Sequence, residues 1–335
     1  MKAMLFQLKN LVAGLGLVLV TTHAVAQEPS YAAHTLTAPF IEEMTSEHGF
    51  LQEPLEKLFA NAQRKQAILN AISRPAERVK LWKEYRPIFI TQSRVDRGVE
   101  FWANPVEALQ RAEEEYGVPA EIIVAIIGVE TMYGGNTGSY RVIDALSTLA
   151  FDYPPRAPFF RQQLKEFLLL TREEQVDPLS LTGSYAGAMG LPQFMPGSFR
   201  AYAVDFDNDG YIDIWQNPTD AIGSVANYFI KHGWKPGQNV VVRADVSKKR
   251  DAEKGLSANL NPEITIKELK TLGWKPRQKL NKNHKVTAFR LDAERGAEYW
   301  IGLENFHAIT RYNRSVMYAM AVHELAELLA AARKE

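Results

Sequence analysis

Residues 118–138 read VPAEIIVAIIGVETMYGGNTG. Pro119 suits a first helical turn and Glu121 favours the positive end of the helix dipole, so a helix starts here. From Ile122 to Val129 every residue is apolar or Gly, and an ionisable Glu130 then arrives on the same run. Ile122, Ile126 and Glu130 recur at four-residue spacing with Ile123 and Ile127 beside them, so the carboxylate projects from the end of an apolar stripe. Burial there disfavours the charged form. A rise of about 2 units above the ordinary ~4.3 costs about 2.7 kcal/mol and keeps a protonated fraction near neutral pH, as a general acid requires. Position alone also allows, and on its own favours, a helix-end Glu that escapes to solvent or pairs with Arg141.

Its sequence neighbours change that balance. RVIDALSTLAFDYPPRAPFF (141–160) and TGSYAGAMGLPQFMP (182–196) are dense in Tyr, Phe, Ser, Gln and Gly. Aromatic faces suit the C–H faces of sugar rings, and hydroxyls and amides suit their hydroxyl groups. Each aromatic taken singly reads as core. Together with a shielded Glu and an exported chain they point to a glycan cleft. Asp144 and Asp152 read as structural groups at a helix end or turn.

Export is suggested by the N-terminus. Lys2 and Lys9 precede the apolar run Leu11–Val20, and Ala24 and Ala26 stand in A-x-A spacing, so cleavage is expected after Ala26. No other segment approaches the ~20 apolar residues of a membrane span, and a soluble periplasmic protein is expected. The 335 residues carry 39 Lys and Arg against 39 Asp and Glu, which speaks against a nucleic-acid partner. There is no cysteine, which excludes disulfides, thiolate metal sites and lipid attachment through a cysteine.

The remaining chain divides by texture. After a flexible leader, 27–39, helical periodicity marks 40–111, including PLEKLFANAQRKQAILNAI. A second compact region covers 112–237. The β-branched runs NVVVRADV, HKVTAFRLDA and AEYWIGLEN predict a small antiparallel sheet over 238–309. Residues 310–335 return as a helix, with 315–335 completing the helical region. The acidic loop DFDNDGYIDIW places Asp205, Asp207, Asp209 and Gly210 in D-x-D-x-D-G spacing, with the Tyr211 carbonyl at the next ligand position. Calcium is the reading preferred over a metal-free turn, because three carboxylates brought together repel one another. Gln216 stands where such a loop closes with Glu. Two other motifs fail on inspection: HELAE has Glu327 where a zincin needs its second His, and GGNTG lacks the Gly-Lys-Ser/Thr of a phosphate loop.

The long stretches 128–164, 182–234 and 309–326 resemble the lytic murein transglycosylase B family, and the likeness covers nearly the whole chain after the leader. The resemblance implies a mainly α (α+β) fold: a lysozyme-like catalytic core, an additional helical domain and a small inserted antiparallel β domain. It implies cleavage of the MurNAc-β-1,4-GlcNAc bond of peptidoglycan without water, giving 1,6-anhydromuramyl products. Glu130, in its E-T-x-Y-G context, matches the sole catalytic carboxylate, acting as acid and then as base. Ser184 would bond Glu130 or the substrate N-acetyl group, and Gln193 would bind sugar. Tyr228, Tyr312, Asn313, Tyr318 and Tyr85 would line the subsites. Asp220 would close the calcium loop, and the ion would be structural. Peptidoglycan strands are the expected partner of a monomer, with other cell-wall enzymes open as further partners. Members named for membrane attachment are lipoproteins; here the lipobox cysteine is missing. A hydrolytic muramidase and a non-catalytic, calcium-stabilised peptidoglycan-binding protein stay open as alternatives.

Overall fold

The computed structural model describes residues 29–73, 80–247 and 249–334; the expected signal segment lies outside them. At its centre is the helix Ala120–Thr131, entered through Pro119 in an extended conformation and buried at every position from Ile122 to Val129. The sequence suggests an apolar stripe, but the helix is enclosed on all sides. Its neighbours are the helices Gln92–Ala103, Val106–Tyr116, Pro218–Lys231 and Val316–Ala332. Each Ile or Val so buried contributes roughly 1.5–3 kcal/mol, which holds the end of this helix, and Glu130 with it, in place.

From residue 29 onward, the segment expected as a flexible leader is docked instead. Tyr31 is 1% exposed, its N–H donates to the carbonyls of Phe59 and Ala62, and its hydroxyl donates to Asp152 at 2.6 Å. A buried aromatic whose polar groups are all satisfied anchors the chain well before the first helix, Thr37–His48. Asp144, 1% exposed, fastens the same region to the helix Val142–Asp152 by accepting the Gln63 N–H and the Arg141 guanidinium. One hydrophobic cluster runs from Tyr31 to Leu329, so the boundary near residue 112 divides helices within a shared core.

The β region forms a five-stranded antiparallel sheet, in the order Ile264–Thr265, Lys285–Ala293, Gly296–Gly302, Val241–Val246, Trp274–Pro276. The three central strands coincide with the β-branched runs. The two short edge strands and the helices Lys249–Glu253 and Ile266–Thr271 carry too few periodic residues to stand out in the sequence. The sheet has its own core around Val242, Ile266, Trp274 and Ile301. It ends earlier than residue 309, because Glu304–Tyr312 is helical, with Phe306 stacked on Phe289 at 4.7 Å. Ser315 then accepts the Tyr318 N–H at 3.3 Å and starts the helix Val316–Ala332. Among the described residues no single helix is long and apolar enough to cross a membrane.

Candidate active site

The local chemistry of the E-T-x-Y-G run explains why the central helix stops just after Glu130, at Thr131. Thr131 Oγ1 lies 3.1 Å from the Ile127 carbonyl and 3.1 Å from that of Leu191, and it accepts the Gly134 N–H at 3.1 Å. Met132 and Tyr133 then take positive φ angles of 53° and 60°, unusual for residues with a side chain. Tyr133 turns back over the helix, donates its hydroxyl to the Arg94 carbonyl at 2.9 Å, and fills the space above Gly128, where any Cβ would collide with its ring. The strained turn is therefore held by packing and by three polar ties, and it fixes the last turn of the helix.

Glu130 is half-buried and has one hydrogen-bond partner among the described residues: the Tyr318 hydroxyl donates to its Oε1 at 2.6 Å. Burial raises its pKa from 4.5 to about 7, and the Tyr318 bond opposes that rise. Three tyrosines gather at this carboxyl. Tyr318 and Tyr312 are raised well above the usual tyrosine range, by burial first and by the Glu130 charge second. Tyr85 is raised for the same two reasons. Tyr312 also donates to the Pro192 carbonyl at 2.6 Å, and Tyr85 stacks on Trp82 at 6.2 Å. Arg141 does not pair with Glu130; its guanidinium serves Asp144 and the Asn61 carbonyl. Asp152 is engaged with Tyr31 and Arg64. Both aspartates are thus committed to the fold.

The other expected site residues separate. Ser184 makes no bond to Glu130; its Oγ accepts the Ala188 N–H at 3.0 Å within its own turn. Gln193, at φ 52°, donates its amide to the carbonyls of Thr137 and Gly190, bridging the loop after the central helix to the loop that Thr131 holds. Tyr228 lies behind Tyr312 at 4.7 Å, stacks on His232 at 3.9 Å and donates to the Arg311 carbonyl, so it supports the cleft wall from the core side. Asn313 is exposed at the end of its helix. The roles of Thr131, Tyr133 and Arg94 are not visible in the sequence, since each depends on a partner brought from far along the chain.

In the acidic loop, ligand oxygens of Asp205, Asp207 and Asp209 lie within 4.8 Å of one another. Oxygens at 2.3–2.6 Å from one ion can be no farther apart than about 5 Å, so this donor set fits calcium. Asp220 is not in the cluster. It is fully buried and accepts the N–H groups of Phe206 and Asp213 at 2.7 and 2.8 Å, so it braces the loop from beneath. It stands four residues beyond Gln216, and Asn217 reaches Asp207 instead, at 2.7 Å. His323 pairs with Glu327 at 3.5 Å along its helix, in keeping with a failed zincin match.

Residues 32–327 match the transglycosylase SLT domain. The chain belongs to that family. It is 44% identical over 328 residues to the membrane-bound lytic murein transglycosylase B of Escherichia coli (strain K12), covering 95% of this chain and 89% of that one. Among solved structures it is similar to the soluble lytic transglycosylase SltB1 from Pseudomonas aeruginosa, with 63% identity and a TM-score of 0.87 over 90% of this chain and 100% of that one. The Escherichia coli lytic transglycosylase Slt35 in complex with calcium superposes with a TM-score of 0.84 at 44% identity, covering 94% and 99%. SltB3 from Pseudomonas aeruginosa, crystallised with NAG-NAM-pentapeptide, gives 0.78 at 31% identity, covering 88% and 79%. The protein is accordingly a lytic transglycosylase, an enzyme with a lysozyme-like fold. A binding protein without turnover is set aside by that membership. In this transglycosylase the helix carrying Glu130 and the helix carrying Tyr318 are packed neighbours, although 188 residues separate the two side chains.

Proposed function

We propose that this transglycosylase cuts the MurNAc-β-1,4-GlcNAc bond of peptidoglycan with Glu130 as its only acid and base. The observation that carries this reading is a half-buried carboxyl bonded through one oxygen to Tyr318, pushed up to about 7 by burial and with no second acid among its partners in the described residues. Near neutral pH a large fraction of Glu130 is protonated and can donate to the glycosidic oxygen as the bond breaks. The carboxylate so formed is stabilised by the Tyr318 hydroxyl and takes the proton of the muramyl C6 hydroxyl. That oxygen then closes the 1,6-anhydro ring. An enzyme that used water would need a second carboxylate as base or nucleophile. Tyr85 and Tyr312 offer ring faces to the sugars, and Ser184, Gln193 and Asn313 offer polar groups, with Tyr228 as backing.

The calcium reading rests on the three clustered carboxylates. Asp205, Asp207, Asp209 and the Tyr211 carbonyl would hold the ion, and Asp220 would keep the loop backbone in shape. Bound calcium would neutralise the carboxylates and stiffen the loop. Export past Ala26 would release a soluble periplasmic enzyme. Mass analysis of the products from purified sacculi tests the reaction: anhydro ends, lighter by one water, are expected, and predominantly reducing ends would sink the proposal.

A further inference from the structure

A cavity of about 670 Å³ opens where three parts of the fold meet. One wall is helical and carries Trp82 and Arg86 from the helix Trp82–Phe89 and Glu324 from the helix Val316–Ala332. The other is the sheet, with Arg243, Glu298 and Trp300. Its volume is that of a site for a ligand the size of a short peptide. A seam that merely joined two domains would pair opposite charges across the gap. Here each arginine is paired on its own wall: Arg86 with Glu324 at 2.6 Å, and Arg243 with Glu298 at 2.9 Å. Glu298 and Glu324, from opposite walls, repel across the space. Lys83, Arg295, Glu294 and Glu327 complete a lining that balances four cations against four carboxylates. Such a lining suits a ligand that carries an amine among carboxylates.

Side chains of the same two helices link the cavity to the Glu130 site. Trp82 stacks on Tyr85, which lies close enough to Glu130 to feel its charge. Glu324 follows Tyr318 by six residues on one helix, a rise of about 9 Å. Three extended residues of peptide span about that distance. We infer that this cavity holds the peptide stem of the glycan strand, with the stem amine between Glu298 and Glu324 and its carboxylates on Arg86 and Arg243. The inference rests on Glu130 as the point of cleavage.

Arg243→Gln and Glu324→Gln test it in the full chain, neither residue being part of the Glu130 machinery. Two substrates are compared: glycan strands bearing their stems, and the same strands stripped of stems by an amidase. Each variant should raise KM for stem-bearing strands about tenfold at unchanged kcat, the worth of one charge-assisted hydrogen bond, and leave turnover of stripped strands as in the wild type. An unchanged KM, or an equal loss on both substrates, overturns the inference. Calorimetric titration with a free stem tetrapeptide decides independently of turnover. Saturable binding that both variants weaken supports the cavity, and no binding to the wild type overturns it. Failure of the wild type to yield anhydro ends from either substrate would instead overturn the assignment of Glu130.

Discussion

Glu130 and Tyr318 form the smallest unit in which the chemistry can be reasoned. Substituting Glu130→Gln removes the proposed proton carrier while keeping the shape, and turnover should fall by about 10²–10⁴, measured as anhydro-end formation, with binding to sacculi retained. The same change has a pH signature in stability. The folded protein holds Glu130 at about 7 against an ordinary 4.5, so it favours the protonated group. That contribution is fully present below about 4.5 and is lost as pH rises through about 7. Glu130→Gln should therefore gain stability over the wild type across that window, by up to about 3 kcal/mol at its alkaline end, and thermal unfolding at pH 4 and pH 8 would reveal it. Tyr318→Phe acts on the other side of the bond. Without its donor the carboxylate is less favoured and the pKa climbs further, so the alkaline limb of the rate profile should move to higher pH while kcat drops about tenfold. An unmoved limb would separate Tyr318 from the proton transfer.

Among elements, the decisive joint is between the helix Val142–Asp152 and the chain before it. Asp144 is buried with Arg141 and the Gln63 N–H, and Lys65 donates its N–H to Thr148 at 3.0 Å one turn farther on. Asp144→Ala would leave the Arg141 charge and a backbone donor without their acceptor. Arg141 is partly exposed and keeps the Asn61 carbonyl, so a loss of about 1–3 kcal/mol is expected, read as a lower denaturation midpoint at constant slope. Since Asp144 makes no bond to Glu130, activity per folded molecule should persist in the cold. The acids of the family motif and of this joint thus have separate uses, and only their partners tell them apart.

For the whole molecule, the acidic loop and the shared core set the terms. The loop is fastened to the core by Asp220 beneath it and by the Glu174 carboxylate, which accepts the Ile212 N–H at 3.0 Å. Calcium at a hundred times its dissociation constant should add about 2.7 kcal/mol to stability, and a chelator should remove it. Asp207→Ala should abolish the response of the melting temperature to calcium while leaving kcat well below that temperature nearly unchanged. A melting temperature indifferent to calcium would reduce the loop to a metal-free turn. The sheet, with its own core, meets the rest along the helix Trp82–Phe89, and there the stem cavity opens.

Much of this was legible along the chain because it is local. The run from Pro119 to Glu130 is dense enough in Ile and Val to specify a core helix, and three aspartates at alternate positions specify a loop that gathers charge whatever surrounds it. The strands between Val241 and Gly302 announce themselves by β-branched residues. Contacts across the fold were not legible. Ser184 satisfies its own turn, Tyr228 retreats behind Tyr312, Asp220 braces backbone, and the leader is pinned by Tyr31. Sequence alone determined which residue types stand at which spacing, and so the helix, the loop acids and the lone Glu at the helix end. Only tertiary structure decided that Tyr318 would reach that Glu and Arg141 would not, because a hydrogen bond is settled by distances of a few ångströms that a sequence separation of 188 leaves open until the core closes.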